Sequence, residues 1–187
     1  MLKGLKRRIT FALARKRPKE VTIDALRCQK LPYSDLQGFS GKPIEFFPPT
    51  IFFQTYSHDP QKGFQDLCDW YKEWFIQKQA WKVAKREGGM KGGTLARSVS
   101  KVFREQMGKP LENLEDAPVE LVEKVIQNRV QYFIEMFDSI RNKGFIPSMG
   151  APIYCFPQTG IFFIYNGHHR VSALRVLGYS RVTIHQL

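Results

Sequence analysis

The apolar positions of this chain change their period several times, and each change predicts an element. Leu2, Leu5, Ile9 and Leu13 recur at spacings of three and four, which places them on one helical face, and Pro18 then disfavours continuation of that helix. Val21-Thr22-Ile23, followed by Asp24 and Leu26, reads as a short strand opening the folded domain. Pro32, Gly38, Gly41, Pro43, Pro48, Pro49 and Pro60 punctuate a region expected to be mostly loop, anchored by Phe46, Phe47, Ile51, Phe52 and Phe53. From Gly63 to Lys85 the pattern turns helical, with a broad stripe of Phe64, Leu67, Trp70, Tyr71, Trp74, Phe75 and Trp81 that is read as core, an acceptor pocket being the alternative.

Gly88-Gly89-Met90-Lys91-Gly92-Gly93 breaks the helical pattern. Lys91 is followed by two glycines, so the cluster lacks the GxxxxGK[ST] order of a P-loop and is read as a hinge. A basic helix is expected from Thr94 to Met107. After an acidic stretch, Pro118 suits the first turn of a long helix whose buried stripe runs from Leu121, Val122, Val125 and Ile126 to Phe137 and Ile140, with Gly144 as its C-cap. The last forty residues read strand (Ala151 to Phe156), turn (Pro157 to Gly160), strand (Ile161 to Tyr165), helix (Gly167 to Leu177) and strand (Val182 to His185). Strands interleaved with helices predict a mixed α/β (α+β) fold: a small mixed sheet with flanking helices and a large helical insertion at about residues 38–118. Residues 1–20 stand apart as a basic amphipathic segment, and residues 21–187 form the domain.

Composition narrows the partners. The 187 residues carry 29 Lys+Arg against 17 Asp+Glu, a formal charge of +12, which favours polyanions: nucleotides, nucleic acid or an anionic membrane surface. Two stretches concentrate that charge, residues 1–20 and residues 78–104. The first can lie on a membrane, dock on phosphates, serve as an organelle-targeting presequence or remain a solvated tail. With 43% hydrophobic residues the chain can build a core without staples. Cys28, Cys68 and Cys155 are odd in number and lack ligand spacing, so they are read as reduced thiols of a cytoplasmic protein, with no metal site. No apolar run of about 18 residues is present to span a bilayer.

The chemistry concentrates in Asn166-Gly167-His168-His169-Arg170, between a strand and a helix. First-turn N–H groups lack partners within the helix and sit at the positive end of its dipole. Gly167 admits close approach or positive φ, and Arg170 can fork two hydrogen bonds to phosphate oxygens. His168 and His169 can donate to phosphate, although adjacent helical residues point in different directions and do not suit one metal. The turn is therefore read as an anion site at a helix start. On the bland reading the arginine and the histidines are surface and capping residues with no ligand.

From Phe133 to Gln186 the chain resembles the ParB/sulfiredoxin-like superfamily. The resemblance rests on Ser139-Ile140 with Gly144, on Pro152-Ile153, Tyr165, the GxHR of Gly167 to Arg170, Ala173-Leu174, Gly178 and Val182, with Val21 to Leu26 similar to the family's opening strand. It implies a compact α/β fold whose GxHR turn holds nucleotide phosphates, ATP or CTP with magnesium. The chain departs from the family's pattern at several points. Sulfiredoxins carry a cysteine in the turn where this chain has His168. Partition proteins carry two arginines there and a helix-turn-helix behind, whereas this chain has Arg170 alone and ends at Leu187, so no downstream DNA reader is expected. Many relatives have an acid where Asn166 stands.

Two functions follow. One is a nucleotide-dependent phosphotransferase or NTPase acting on a small-molecule or glycan- or lipid-linked acceptor. The turn would stabilise charge and a carboxylate would position the acceptor. Relatives with kinase activity place that carboxylate just after the opening strand, which makes Asp35 the first candidate and Asp24 the second, with His168 as a further catalytic group. Both acids are more readily read as plain turn or capping residues. The other function is nucleic-acid binding through the basic faces, nuclease action included, with low sequence specificity and steep salt dependence. A variant of the first sets the basic N-terminus on a membrane.

Overall fold

In the computed structural model of the protein, which describes residues 18–28, 41–76, 94–112, 116–146 and 152–187, the segment after Pro18 forms two strands where the sequence pattern predicts one. β1 (Lys19–Thr22) and β2 (Leu26–Cys28) are joined by a 3-10 turn, Ile23–Ala25. Three more strands complete a mixed sheet: β3 (Tyr154–Gln158), β4 (Ile161–Asn166) and β5 (Arg181–Gln186). The strand order is β1-β5-β3-β4-β2. β3 and β4 are an antiparallel hairpin, β2 runs parallel to β4, β3 parallel to β5, and β1 antiparallel to β5. β1 and β2 are thus the two edges of the sheet, although three residues separate them. Four strand spacings amount to about 19 Å, while the step from Thr22 to Leu26 reaches about 13 Å fully extended. The sheet must therefore curl to draw its edges together.

Side-chain alternation sends Val21, Leu26, Cys28, Cys155, Ile164, Val182 and Ile184 to one buried face. The helix after β4, α5 (His168–Val176), buries Val171, Ala173 and Leu174. α1 (Pro48–His58) occupies part of the stretch expected to be loop. Proline reads as a breaker in a sequence, yet Pro48 and Pro49 stand at a helix start, where no N–H is needed and a fixed φ helps. Phe53 of α1 stacks at 5.0 Å on Phe137 of the long helix α4 (Val119–Lys143), both fully buried. The buried Thr50 hydroxyl lies 2.7 Å from the Ile44 carbonyl and 2.8 Å from the Ser172 hydroxyl, which ties the first turn of α1 to α5.

The described residues fall into two compact units. One draws on the described parts of Met1–Lys30, Gly38–Gln54 and Met136–Leu187 and holds the sheet, and the other draws on the described parts of Thr55–Glu135 and is helical. In the helical unit, α2 (Pro60–Ile76) and α3 (Thr94–Met107) accompany the first turns of α4. Leu67 and Tyr71 of α2 are buried, Tyr71 is stacked at 6.1 Å on Phe133, and Arg129 lies 4.6 Å over that Phe133 ring. The α2 stripe is core as far as its described side chains go. The glycine cluster at residues 88–93 and the end of the expected α2 pattern lie outside the described residues. On α3, Val99 and Phe103 are buried while Lys101 and Arg104 are exposed, so its charge forms a solvated face. Among the described residues no helix is long and apolar enough to cross a membrane.

Candidate functional site

The turn is built by the end of β4. Asn166 pairs in register with Tyr154 and is exposed. Gly167 follows as the N-cap of α5 with φ 101° and ψ 14°, and it supplies no side-chain cap. A Cβ placed there would lie 3.0 Å from Ile153 Cγ1 and 3.4 Å from Ile153 Cα, so a side chain would be strained in the backbone and would need Ile153 to give by a few tenths of an ångström. Its carbonyl accepts the first intrahelical bond, from Val171 N at 3.0 Å. The first turn of α5 carries the N–H groups of His168, His169 and Arg170, at the positive end of the helix dipole. Arg170 Nη2 lies 3.4 Å from the Pro152 carbonyl, which sets its guanidinium against the segment that leads into β3.

Phe47, which the sequence pattern marked only as an apolar anchor, packs on both histidines. Its ring centroid lies 5.4 Å from that of His168 and 6.0 Å from that of His169. The α1 N-terminus beside it begins Pro48-Pro49, which carry no N–H, and Thr50 N is spent on the Phe47 carbonyl at 2.8 Å. The start of α1 therefore offers no backbone donor at Pro48, Pro49 or Thr50.

Burial pushes the His168 imidazole down to about 4, so it is neutral at physiological pH. It brings one N–H and one lone pair to the turn, not a charge, and the permanent cation there is Arg170. The linkage has a definite sign. An unfolded histidine protonates near 6.5 and the folded one only near 4, so the unfolded chain binds more protons between those values. Stability should fall as pH drops from about 6.5 to 4 and be unaffected by this group above that window. The loss is about 2–3 kcal/mol. Urea denaturation from pH 7 to 4 measures it, and the slope should shrink in His168→Gln. An unchanged slope would assign the acid sensitivity elsewhere.

The predicted carboxylates do not join this turn among the described residues. Asp24 is 2.7 Å from Arg175 Nη1, and Arg175 also holds Glu45 at 3.1 Å. Arg175 stands in the last turn of α5, five residues and about 7.5 Å of helix rise beyond Arg170. Asp24 thus serves the C-terminal end of α5, opposite the turn at its start. Asp35 lies outside the described residues. Burial disfavours the thiolate at all three cysteines, pushing Cys28 and Cys155 up to about 12 and Cys68 to about 11.

The sheet and its flanking helices define a mixed α/β fold, with a glycine-led turn at the start of α5. Comparison with protein-family models, curated proteins and solved structures gave no match.

Proposed function

We propose that this is a nucleotide-phosphate-binding protein of the ParB/sulfiredoxin-like kind, whose Asn166 to Arg170 turn holds the phosphates of ATP or CTP, and that it acts as a nucleotide-dependent phosphotransferase or NTPase. The observation that carries the reading is Gly167. A left-handed glycine at this position, where a Cβ would crowd Ile153, leaves the helix start without a side chain between its N–H groups and an incoming anion. Arg170, in the same first turn, adds the charge and the planar fork that suit phosphate.

The turn holds donors and no carboxylate, which fits phosphate oxygens and not a dedicated magnesium cage. Magnesium would be held by the phosphates together with a carboxylate from elsewhere, for which Asp35 is the candidate; when bound it would neutralise charge on the transferred phosphoryl group. The phosphoryl acceptor on this reading is a small molecule or a glycan- or lipid-linked group.

Titration with ATP, ADP and CTP plus magnesium tests the proposal. A nucleotide at about 100 times its dissociation constant adds about 2.7 kcal/mol, a melting shift of roughly 5–10 °C for a chain of this size. Arg170→Ala should abolish the shift while leaving the unliganded circular dichroism spectrum unchanged. A wild-type protein that shifts with none of the three nucleotides sinks the reading. The exposed Lys101 and Arg104 support a second one, non-specific nucleic-acid binding through residues 78–104 and the basic residues 1–20. That binding would weaken mainly on charge removal across α3 and would be little affected at Arg170.

A further inference from the structure

The buried face of the sheet has an opposite, and its residue types are unusual. Cys155, Ile164 and Ile184 are each fully buried, so their strand neighbours point the other way. Phe163 stands opposite Phe156 on β3 and opposite Arg27 on β2, giving a row Arg27, Phe163, Phe156 across three strands. In the next register, Tyr154 stands opposite His185, with ring centroids 5.8 Å apart. The pairing slips between Tyr154 and Cys155, because Tyr154 meets Asn166 while Cys155 meets Ile164. Tyr165 is the extra residue of that bulge, and a bulge re-aims its side chain. It is aimed at Phe156, edge to face at 5.4 Å. Phe156 is 40% exposed and Tyr165 51%.

We infer that this outer face of the sheet is a stacking platform for single-stranded nucleic acid. Five rings on three adjacent strands, two of them exposed and already in contact, offer π-surface that every base can use irrespective of sequence. The charge is complementary. Arg27 stands in register with Phe163, and its Nη1 donates to the carbonyls of Asp24 and Leu26, while its charge remains to meet a phosphate. Glu20, the acid on the β1 edge of this face, is neutralised by Arg181 at 2.9 Å. The chain as a whole carries +12. A duplex hides its base faces and would gain only the charge, so single strands are the preferred partner. The inference does not rest on the phosphate-binding reading, since Gly167 to Arg170 take no part in it.

Fluorescence anisotropy of the full chain with a labelled oligo(dT) or oligo(rU) of about 12 nucleotides, against a duplex of the same length, tests it. The single strands should bind about tenfold more tightly than the duplex. Phe156→Leu and Tyr165→Leu keep apolar bulk but remove the π-face. Each should weaken single-strand binding about five- to tenfold and leave the duplex unaffected, with melting curves checking that each variant is folded. Equal affinity for single strand and duplex, leucine variants that bind like wild type, or no binding at low salt would each overturn the inference. So would concentration-dependent self-association abolished by the leucine variants, since the face would then be a contact between copies of the chain.

Discussion

Gly167→Ala should lower the stability of the protein by about 2–4 kcal/mol, the sum of two separate costs. A non-glycine residue held in the left-handed region loses about 1–2 kcal/mol, and Gly167 sits there with φ 101°. The new methyl would also arrive 3.0 Å from Ile153 Cγ1, and forcing a group into packed space costs about 1–3 kcal/mol. Ile153 is buried and precedes β3, so it has little room to withdraw. A double-mutant cycle separates the costs: Ile153→Ala makes room for the methyl but cannot relieve the backbone. The loss caused by Gly167→Ala should therefore be smaller on the Ile153→Ala background, with the conformational part remaining. Urea midpoints with unchanged m-values are the readout. Full additivity would show that space at Ile153 is not a constraint. On the proposed function the same variant should also lose its nucleotide-induced melting shift, because relief of the strain moves the N–H groups that meet the phosphate.

Gly63→Ala is expected to do more harm, against the intrinsic trend. Inside a helix, alanine is better than glycine by about 1 kcal/mol. Gly63 stands in the first turn of α2, where a methyl would overlap the backbone nitrogen and Cα of Tyr56, near the end of α1. The two helices turn sharply around Asp59, whose N–H bonds to Thr55 O at 2.8 Å and whose carbonyl accepts from Gly63 N at 2.9 Å. Backbone cannot give way as a side-chain tip can, so the helices must part. The loss should exceed about 3 kcal/mol, among the larger single-residue effects. Thermal melting shows the sign at once. A variant at least as stable as wild type would mean that the corner at Asp59 is not tight.

How far these sites could be read beforehand depended on the range of the interaction. The bounds of α3 at Thr94 and Met107, the run of α4 from just after Pro118 to Gly144, and the hairpin around Gly160 were legible, since each follows from period, cap or turn chemistry within a few residues. Gly144 does take positive φ, at 76°, where a C-cap was expected. The Gly167 turn was legible for the same reason: a strand, a glycine and an amphipathic helix are all local. Phe47 was not, because nothing in its own neighbourhood says that it faces two histidines more than a hundred residues away. The loop reading of residues 48–58 failed because two prolines break a helix in its interior and start one at its first turn. Choosing between these requires knowing what the helix buries, here Phe53 against Phe137.

The pattern of the chain alone was enough for the fold class, the positions of most helices and the glycine-led turn, because backbone geometry and apolar periodicity are properties of neighbouring residues. Tertiary structure decided what those residues meet. It split the first strand between the two edges of a curled sheet, lowered His168 by burial so that it is neutral beside the permanent cation Arg170, and drew Asp24 to Arg175 at the far end of α5. It also set Ile153 against Gly167 and lined five rings on the outer face of the sheet. Burial, register and ion pairing join residues distant in the chain, and they are settled only when the strands have chosen their partners.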